Sequence, residues 1–147
     1  MTTPRGWLLD TVILSELRKG PRTAPPVRLW AERVPRVACF ISRVNIAEIR
    51  YGIETVADPA FRAELEAWLQ DGVMAWFGPR ILEVDEAVLL RWRHLAADAR
   101  KTNRTYPQLD VLIAATALVH GLGVATRNVQ DFVRTGVQVL NPWDEPV

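Results

Sequence analysis

The 147-residue chain is poor in several residues that would mark particular chemistries. It has one cysteine, two histidines and two methionines, and only Lys19 and Lys101 among its eighteen basic residues are lysines. A single thiol can form neither an internal disulfide nor a zinc cage. Cys39 lies in the apolar run Val37-Ala38-Cys39-Phe40-Ile41, so it reads as a buried, inert thiol, and one free cysteine fits a reducing cytoplasm. Long apolar runs are also missing. The longest uncharged segment, 111–126, is shorter than the ~20 residues of a membrane helix and contains Gly121 and Gly123. Asp10 interrupts the short apolar stretch near the start, which excludes a signal-peptide reading. The expectation is a cytoplasmic protein with no membrane span.

What is present is the composition of a globular protein, 49% hydrophobic and 24% charged. The length suits one domain over residues 1–147 and is enough for a sizeable core. The net charge is +1, which disfavours a strongly basic nucleic-acid wrapper. That value is a cancellation. Residues 1–50 carry +5 (nine basic, four acidic), residues 51–90 carry −6 (two basic, eight acidic) and residues 91–147 carry +2 (seven basic, five acidic). Sixteen of the eighteen basic residues are arginine. Arginine is the better fork for phosphates, although a GC-rich coding bias produces the same excess.

Short apolar runs alternate with helix-period runs. Strands are expected at Trp7-Leu8-Leu9, 37–41, 81–84, 122–125 and 137–140. Helices are expected over 12–19, 27–34 and from an N-cap at Ser42 to about residue 53. In segment 59–77, Phe61, Leu65, Leu69, Val73 and Trp76 recur about every four residues and predict one long amphipathic helix. Asp85 caps a helix with Val88, Trp92, Leu95, Ala96 and Ala99 inward, and Pro107 opens a helix that Gly121 ends. A short helix over 128–134 follows. Alternating strands and helices imply an α/β chain with a central parallel sheet covered on both faces.

In such sheets, ligands bind beyond the carboxyl ends of the strands. Asp10 directly follows a strand and reads equally as helix cap or site residue. Glu48 sits inside Val44-Asn45-Ile46-Ala47-Glu48-Ile49, which is no charged surface stripe, so it needs a cation, a donor or an ion pair with an arginine such as Arg50. Asp110 heads the apolar stripe Ile113, Ala114, Ala117 and Leu118 of its own helix, where inward-facing ligand competes with helix-end anion. Asp131 follows Thr126-Arg127-Asn128 just beyond another strand and reads as site or turn residue. Asp85 also follows a strand, but its helix explains it as a cap. If the other four acids converge, they cannot all stay ionised without help. Their hard oxygens suit Mg²⁺ or Mn²⁺, a combination used in metal-assisted phosphodiester cleavage.

Four segments in register resemble the PIN-domain toxin ribonucleases of VapBC toxin–antitoxin pairs, especially the FitB-like branch. They are Leu8-Leu9-Asp10-Thr11, Asn45-Ile46-Ala47-Glu48-Ile49-Arg50-Tyr51-Gly52-Ile53, Asp110-Val111-Leu112-Ile113-Ala114-Ala115-Thr116-Ala117 and Thr126-Arg127-Asn128-Val129-Gln130-Asp131-Phe132. The closing Leu140-Asn141-Pro142-Trp143 is similar to that branch's tail. The resemblance implies a three-layer α/β/α PIN-like domain and a metal-dependent endoribonuclease. Asp10, Glu48 and Asp110 match its three main acidic positions, Asp131 is favoured over Asn128 for the fourth, and Thr11, Thr126 and Asn128 would support the pocket. Val12 departs from the asparagine usual there. Implied partners are an RNA substrate, a small DNA-binding antitoxin, promoter DNA through that antitoxin, and a second copy in a homodimer. Arg50, Arg104 and Arg127 are candidates for flanking phosphates.

Two other readings are open to the sequence. One is a regulatory PIN scaffold with a weak or lost metal site, against which Asp10, Glu48 and Asp110 all stand. The other is a phosphotransfer protein. A receiver domain would want a lysine after a late strand, and none lies beyond Lys101; an Asp-x-Asp phosphatase would want an acid where Val12 stands. Neither a Gly-x-Gly-x-x-Gly loop nor a Walker lysine is present. If the four acids line a metal pocket, the charge left outside it is +5.

Overall fold

A computed structural model describes residues 3–104 and 107–146 of the chain. Five short strands, β1 (Trp7–Leu9), β2 (Cys39–Ser42), β3 (Ile81–Leu82), β4 (Gly123–Ala125) and β5 (Val139–Leu140), pair in parallel in the order β3-β2-β1-β4-β5. Helices α1 (Thr11–Leu17) and α2 (Pro25–Arg33) connect β1 to β2. Helices α3 (Arg43–Glu54), α4 (Pro59–Ala67) and α5 (Ala75–Phe77) lead to β3, α6 (Glu86–Lys101) and α7 (Gln108–Val119) to β4, and α8 (Val129–Val133) to β5. The result is the expected three-layer α/β/α fold.

The strand pleat builds a core on each face of the sheet. Leu9, Cys39, Ile41 and Ala125 point to one side, where they meet Ile13, Trp30, Ile46, Ile49, Leu69, Val73 and Phe77. Leu8, Phe40 and Val124 point to the other, against Ile113, Ala114, Ala117, Phe132 and Val137. The register Trp7↔Gly123, Leu8↔Val124, Leu9↔Ala125 holds β1 against β4. A Cβ at Gly123 would run into the Trp7 indole ring. Gly123→Ala should therefore force a shift at the centre of the sheet and cost about 1–3 kcal/mol, read as a lowered midpoint in denaturant unfolding.

Three local expectations change. Val37 is not in a strand: a 3₁₀ turn covers Arg36–Ala38 and leaves it 76% exposed. The strand starts at Cys39 because β1 begins at Trp7, its register partner, so no earlier residue has a strand to pair with. The 59–77 segment is helical throughout, but Trp68–Met74 forms a π-helical stretch. An α-helix drifts about 40° over four residues, and the wider π turn, with its i→i+5 hydrogen bonds, drifts the other way and offsets it. Leu69, Val73 and Phe77 are therefore buried, and Trp76, expected inward, is 40% exposed between the guanidinium groups of Arg36 and Arg80, 4.9 and 4.7 Å away. Finally, α7 has no single apolar stripe. Val111, Ile113, Ala114, Ala115, Thr116 and Ala117 are all buried, as befits a helix enclosed by its neighbours.

The chain runs outward in one direction from β1 through β2 to β3, then returns to place β4 on the other side of β1. The strand order reverses between β1 and β4, so a crevice opens beyond their carboxyl ends. Asp10 and Thr126 are the first residues past those two strands. None of the described helices is long and apolar enough to cross a membrane.

Candidate active site

Asp10 proves to be cap and pocket residue at once. Its Oδ1 accepts the Thr11 N–H at 2.9 Å, at the start of α1, while its Oδ2 accepts the Thr126 hydroxyl at 2.8 Å. Thr126 is fully buried, and its oxygen also accepts the Asn128 N–H at 3.0 Å. Burial pushes the Asp10 carboxyl up, the two threonine hydrogen bonds pull against it, and the charge of Asp131 adds to the rise.

Glu48 reaches the same crevice from α3. Its partner is Thr11, whose hydroxyl donates to Oε1 at 3.1 Å. Arg50, the cation considered in its sequence context, instead directs Nη2 to the Met74 sulfur at 3.4 Å. The groups that act on the Glu48 charge are the Thr11 hydroxyl and Asp10, and no cation is among them. Burial raises its pKa, opposed by the Thr11 hydroxyl and assisted by Asp10.

Asp110 lies in the first turn of α7 and shows the strongest effect. Burial, then the charges of Asp10, Asp131 and Glu48 in that order, raise its pKa to about 6. All four acids singled out in the sequence therefore share one electrostatic environment. Asp131 lies in the first turn of α8, where the N-cap position belongs to Asn128, and is half-buried. Asn128 itself is exposed and forms no side-chain cap; it meets the pocket through its backbone. Asp85 serves as a helix cap, accepting the Val88 N–H at 3.0 Å.

Asn45 is the residue that reading the sequence for acids passed over. It is fully buried. The Ser42 N–H, which can only donate, lies 2.8 Å from Asn45 Oδ1, and this fixes the orientation of the amide. Nδ2 then faces Thr11 and donates to its hydroxyl oxygen at 3.0 Å. With its oxygen accepting from Asn45, Thr11 turns its one hydrogen toward Glu48. The hydrogen bond that sets Thr11 thus comes from another helix, α3. The available signal was a buried-type position, one turn before Glu48, filled by a polar amide.

Four neighbouring carboxylates, three of them with pKa values raised by burial and by the charges of the others, are a set of hard oxygen donors lacking a positive charge, and this donor chemistry fits a divalent cation such as Mg²⁺ or Mn²⁺. Among the described residues they do not close into a finished metal cage. After burial, repulsion from the other three acids lifts Asp110, and a bound cation would relieve that part.

A doubly wound parallel sheet with clustered acids at its reversal point defines the class, and residues 7–137 match the PIN domain family. The chain belongs to the PIN-domain family, in the VapC/FitB branch. It is 32% identical over 139 residues to the toxin FitB of Neisseria gonorrhoeae, covering 94% of this chain and 99% of that protein. Against the VapC ribonuclease Y4jK of Sinorhizobium fredii the identity is 30% over 138 residues, covering 93% and 97%. A solved structure of FitAB bound to an IR36 DNA fragment superposes with a TM-score of 0.86 at 28% identity, covering 95% of this chain and 97% of that one.

Proposed function

We propose that this chain is the toxin of a type II toxin–antitoxin pair and an endoribonuclease that uses Mg²⁺ or Mn²⁺ held by Asp10, Glu48, Asp110 and Asp131. The observation that carries the proposal is that Asp10, Glu48, Asp110 and Asp131 act on one another beyond the ends of β1 and β4, where burial and then the charges of the other three raise the Asp110 pKa to about 6. The naming of a similar protein as a VapC ribonuclease supports the reaction class.

The chemistry such an ion supplies is activation of a water toward neutrality and polarisation of the scissile phosphate. The side chains of this chain do the positioning. Thr126 and the Thr11 N–H hold the Asp10 carboxylate, and the Thr11 hydroxyl, set by Asn45, holds Glu48. Asp110 keeps its proton below about pH 6 in the metal-free protein and releases it above. Asn128 borders this pocket as a supporting group. RNA is taken single-stranded, because unstacked strands expose their backbone and bases.

The partners follow from the same reading: a small DNA-binding antitoxin that covers the acidic pocket, promoter DNA bound through that antitoxin, and a second copy of the toxin. The protein named FitAB in its DNA-bound structure has this fold, which supports the arrangement.

The test incubates the purified chain with single-stranded RNA and either Mg²⁺, Mn²⁺ or EDTA. Cleavage with either metal and none in EDTA is expected. Failure to cleave with metal, together with no Mn²⁺ binding by calorimetry, would leave a regulatory PIN scaffold as the better description.

A further inference from the structure

Helices α6 and α7 pack side by side and leave a groove of about 370 Å³ between them, lined by Trp92, Arg93, Ala96, Arg100, Arg104 and Gln108 among others. No carboxylate lines it. None of Arg93, Arg100 and Arg104 belongs to an ion pair among the described residues. Asp98, the acid nearest in sequence, falls on roughly the opposite side of α6 at about 100° per residue. One floor of the groove is organised: the Trp92 indole N–H donates to Gln108 Oε1 at 3.0 Å, and the Arg93 guanidinium lies 5.8 Å from the Trp92 ring centre. Arg100 in the last turn of α6 is accounted for by the helix dipole; Arg93, in mid-helix, is not.

The groove reaches the first turn of α7, where Gln108 and Val111 line it. Asp110 belongs to that same turn, with its side chain on another side of the helix at about 100° per residue. A strand leaving the groove therefore passes around the start of α7 to reach the acid pocket. Arg93 and Arg100 are seven residues apart, about 10.5 Å along the helix, and Arg104 extends the row. Guanidinium planes and an indole offer both phosphate partners and stacking faces.

We propose that this α6–α7 groove is a substrate subsite that holds the phosphates of single-stranded RNA on Arg93, Arg100 and Arg104 beside the cleavage site. The inference rests on the ribonuclease reading above and adds where the strand runs. A narrow cleft between packed helices, with π faces, suits one unstacked strand better than a duplex or an acidic peptide.

The experiment measures binding of a labelled oligouridylate to the full chain in EDTA, across a series of salt concentrations, and cleavage of RNA with metal. Three phosphate contacts on a single strand contribute a slope of about 2 in log K against log salt. Changing Arg93, Arg100 and Arg104 together to glutamine should remove that much slope and weaken binding at least tenfold. KM should rise with kcat unchanged within about twofold. The corresponding triple lysine variant should keep most of the slope, and each single glutamine change should remove about 0.7, which keeps the test readable if the triple variant folds poorly. Glutamine at exposed Arg22 and Arg28 should leave both measurements unaltered. A wild-type chain that cleaves RNA while the triple glutamine variant keeps its slope and KM overturns the subsite. So does a loss confined to kcat, or a loss of binding to duplex DNA or to an acidic peptide in place of RNA. A wild-type chain that neither binds nor cleaves RNA overturns the ribonuclease reading itself, and the subsite with it.

Discussion

Asp110→Asn is expected to lower RNA cleavage by on the order of 10³-fold while making the metal-free protein more stable. The two effects have one origin. Asp110 brings a fourth negative charge into a pocket already holding Asp10, Glu48 and Asp131, and burial together with those charges raises its pKa to about 6. A carboxylate that helps stabilise a divalent cation contributes several kcal/mol to a phosphoryl transition state, and each 1.36 kcal/mol is a factor of ten in rate. Asparagine keeps the shape and loses the charge. The stability effect has a definite sign. Folding raises this pKa above the unfolded value, so the folded state binds the proton more tightly. Its contribution is fully present below about pH 4 and is lost as pH rises through about 6. Asp10 and Glu48, also raised, act in the same direction. Metal-free wild type should therefore lose stability between pH 4 and 7. The asparagine variant should lose less, by on the order of 1 kcal/mol after solvent screening of a partly exposed group, or about 2–4 °C in Tm. Thermal melts in EDTA across that pH range measure this, and Mn²⁺ titration calorimetry should show weakened binding. Undiminished metal-dependent cleavage by Asp110→Asn would remove the mechanism.

Asn45→Leu is expected to reduce kcat by about 10–100-fold, the usual cost of removing a partner of a ligating group, although Asn45 itself touches no other acid than through Thr11. Its amide directs the Thr11 hydroxyl toward Glu48. Without it, Thr11 is free to rotate and Glu48 loses its only described side-chain donor. Asn45 also accepts the Ser42 N–H at the start of α3, so a simple loss of activity would not separate positioning from helix capping. A double-mutant cycle does. Thr11→Val leaves the Ser42 contact alone and should reproduce most of the kcat loss. In that background Asn45→Leu should cost little more. Thr11→Ser should restore kcat, since it keeps the hydroxyl. Fully additive losses would show that Asn45 acts through the helix end instead. The Asn45 side-chain amide resonances of the metal-free protein give an independent reading. They should shift in Thr11→Val.

These predictions differ in how visible their residues are in the sequence. Asp10, Glu48 and Asp110 stand out because each is an acid placed where the periodic pattern calls for apolar side chains or for a strand end. Asp131 stands out less, since first-turn acids are common on any helix. Whether Asp10 caps a helix or faces a pocket was not decidable from its neighbours, and the answer is that each oxygen takes one role. The reason is distance along the chain: Thr126, which holds the second oxygen, is 116 positions away. The Arg50 pairing considered for Glu48 likewise depends on which way two neighbouring helical side chains point, and Met74 claims that arginine.

The sequence by itself determined the alternation of strands and helices, the parallel sheet, the helix starts at Ser42 and Asp85 and the turn at Gly121, whose φ of +70° favours glycine. These follow from period, caps and backbone freedom, all of which act within a few residues. Tertiary structure alone decided three other matters. It widened the helix at Trp68–Met74 so that Phe77, and not Trp76, enters the core. It joined Asn45, Thr11 and Glu48 into one hydrogen-bonded row. It also set the arginines of α6 against Gln108 of α7, across a groove. Each depends on contacts between segments far apart in the chain, where packing and hydrogen-bond geometry choose among side-chain arrangements that local sequence leaves equal.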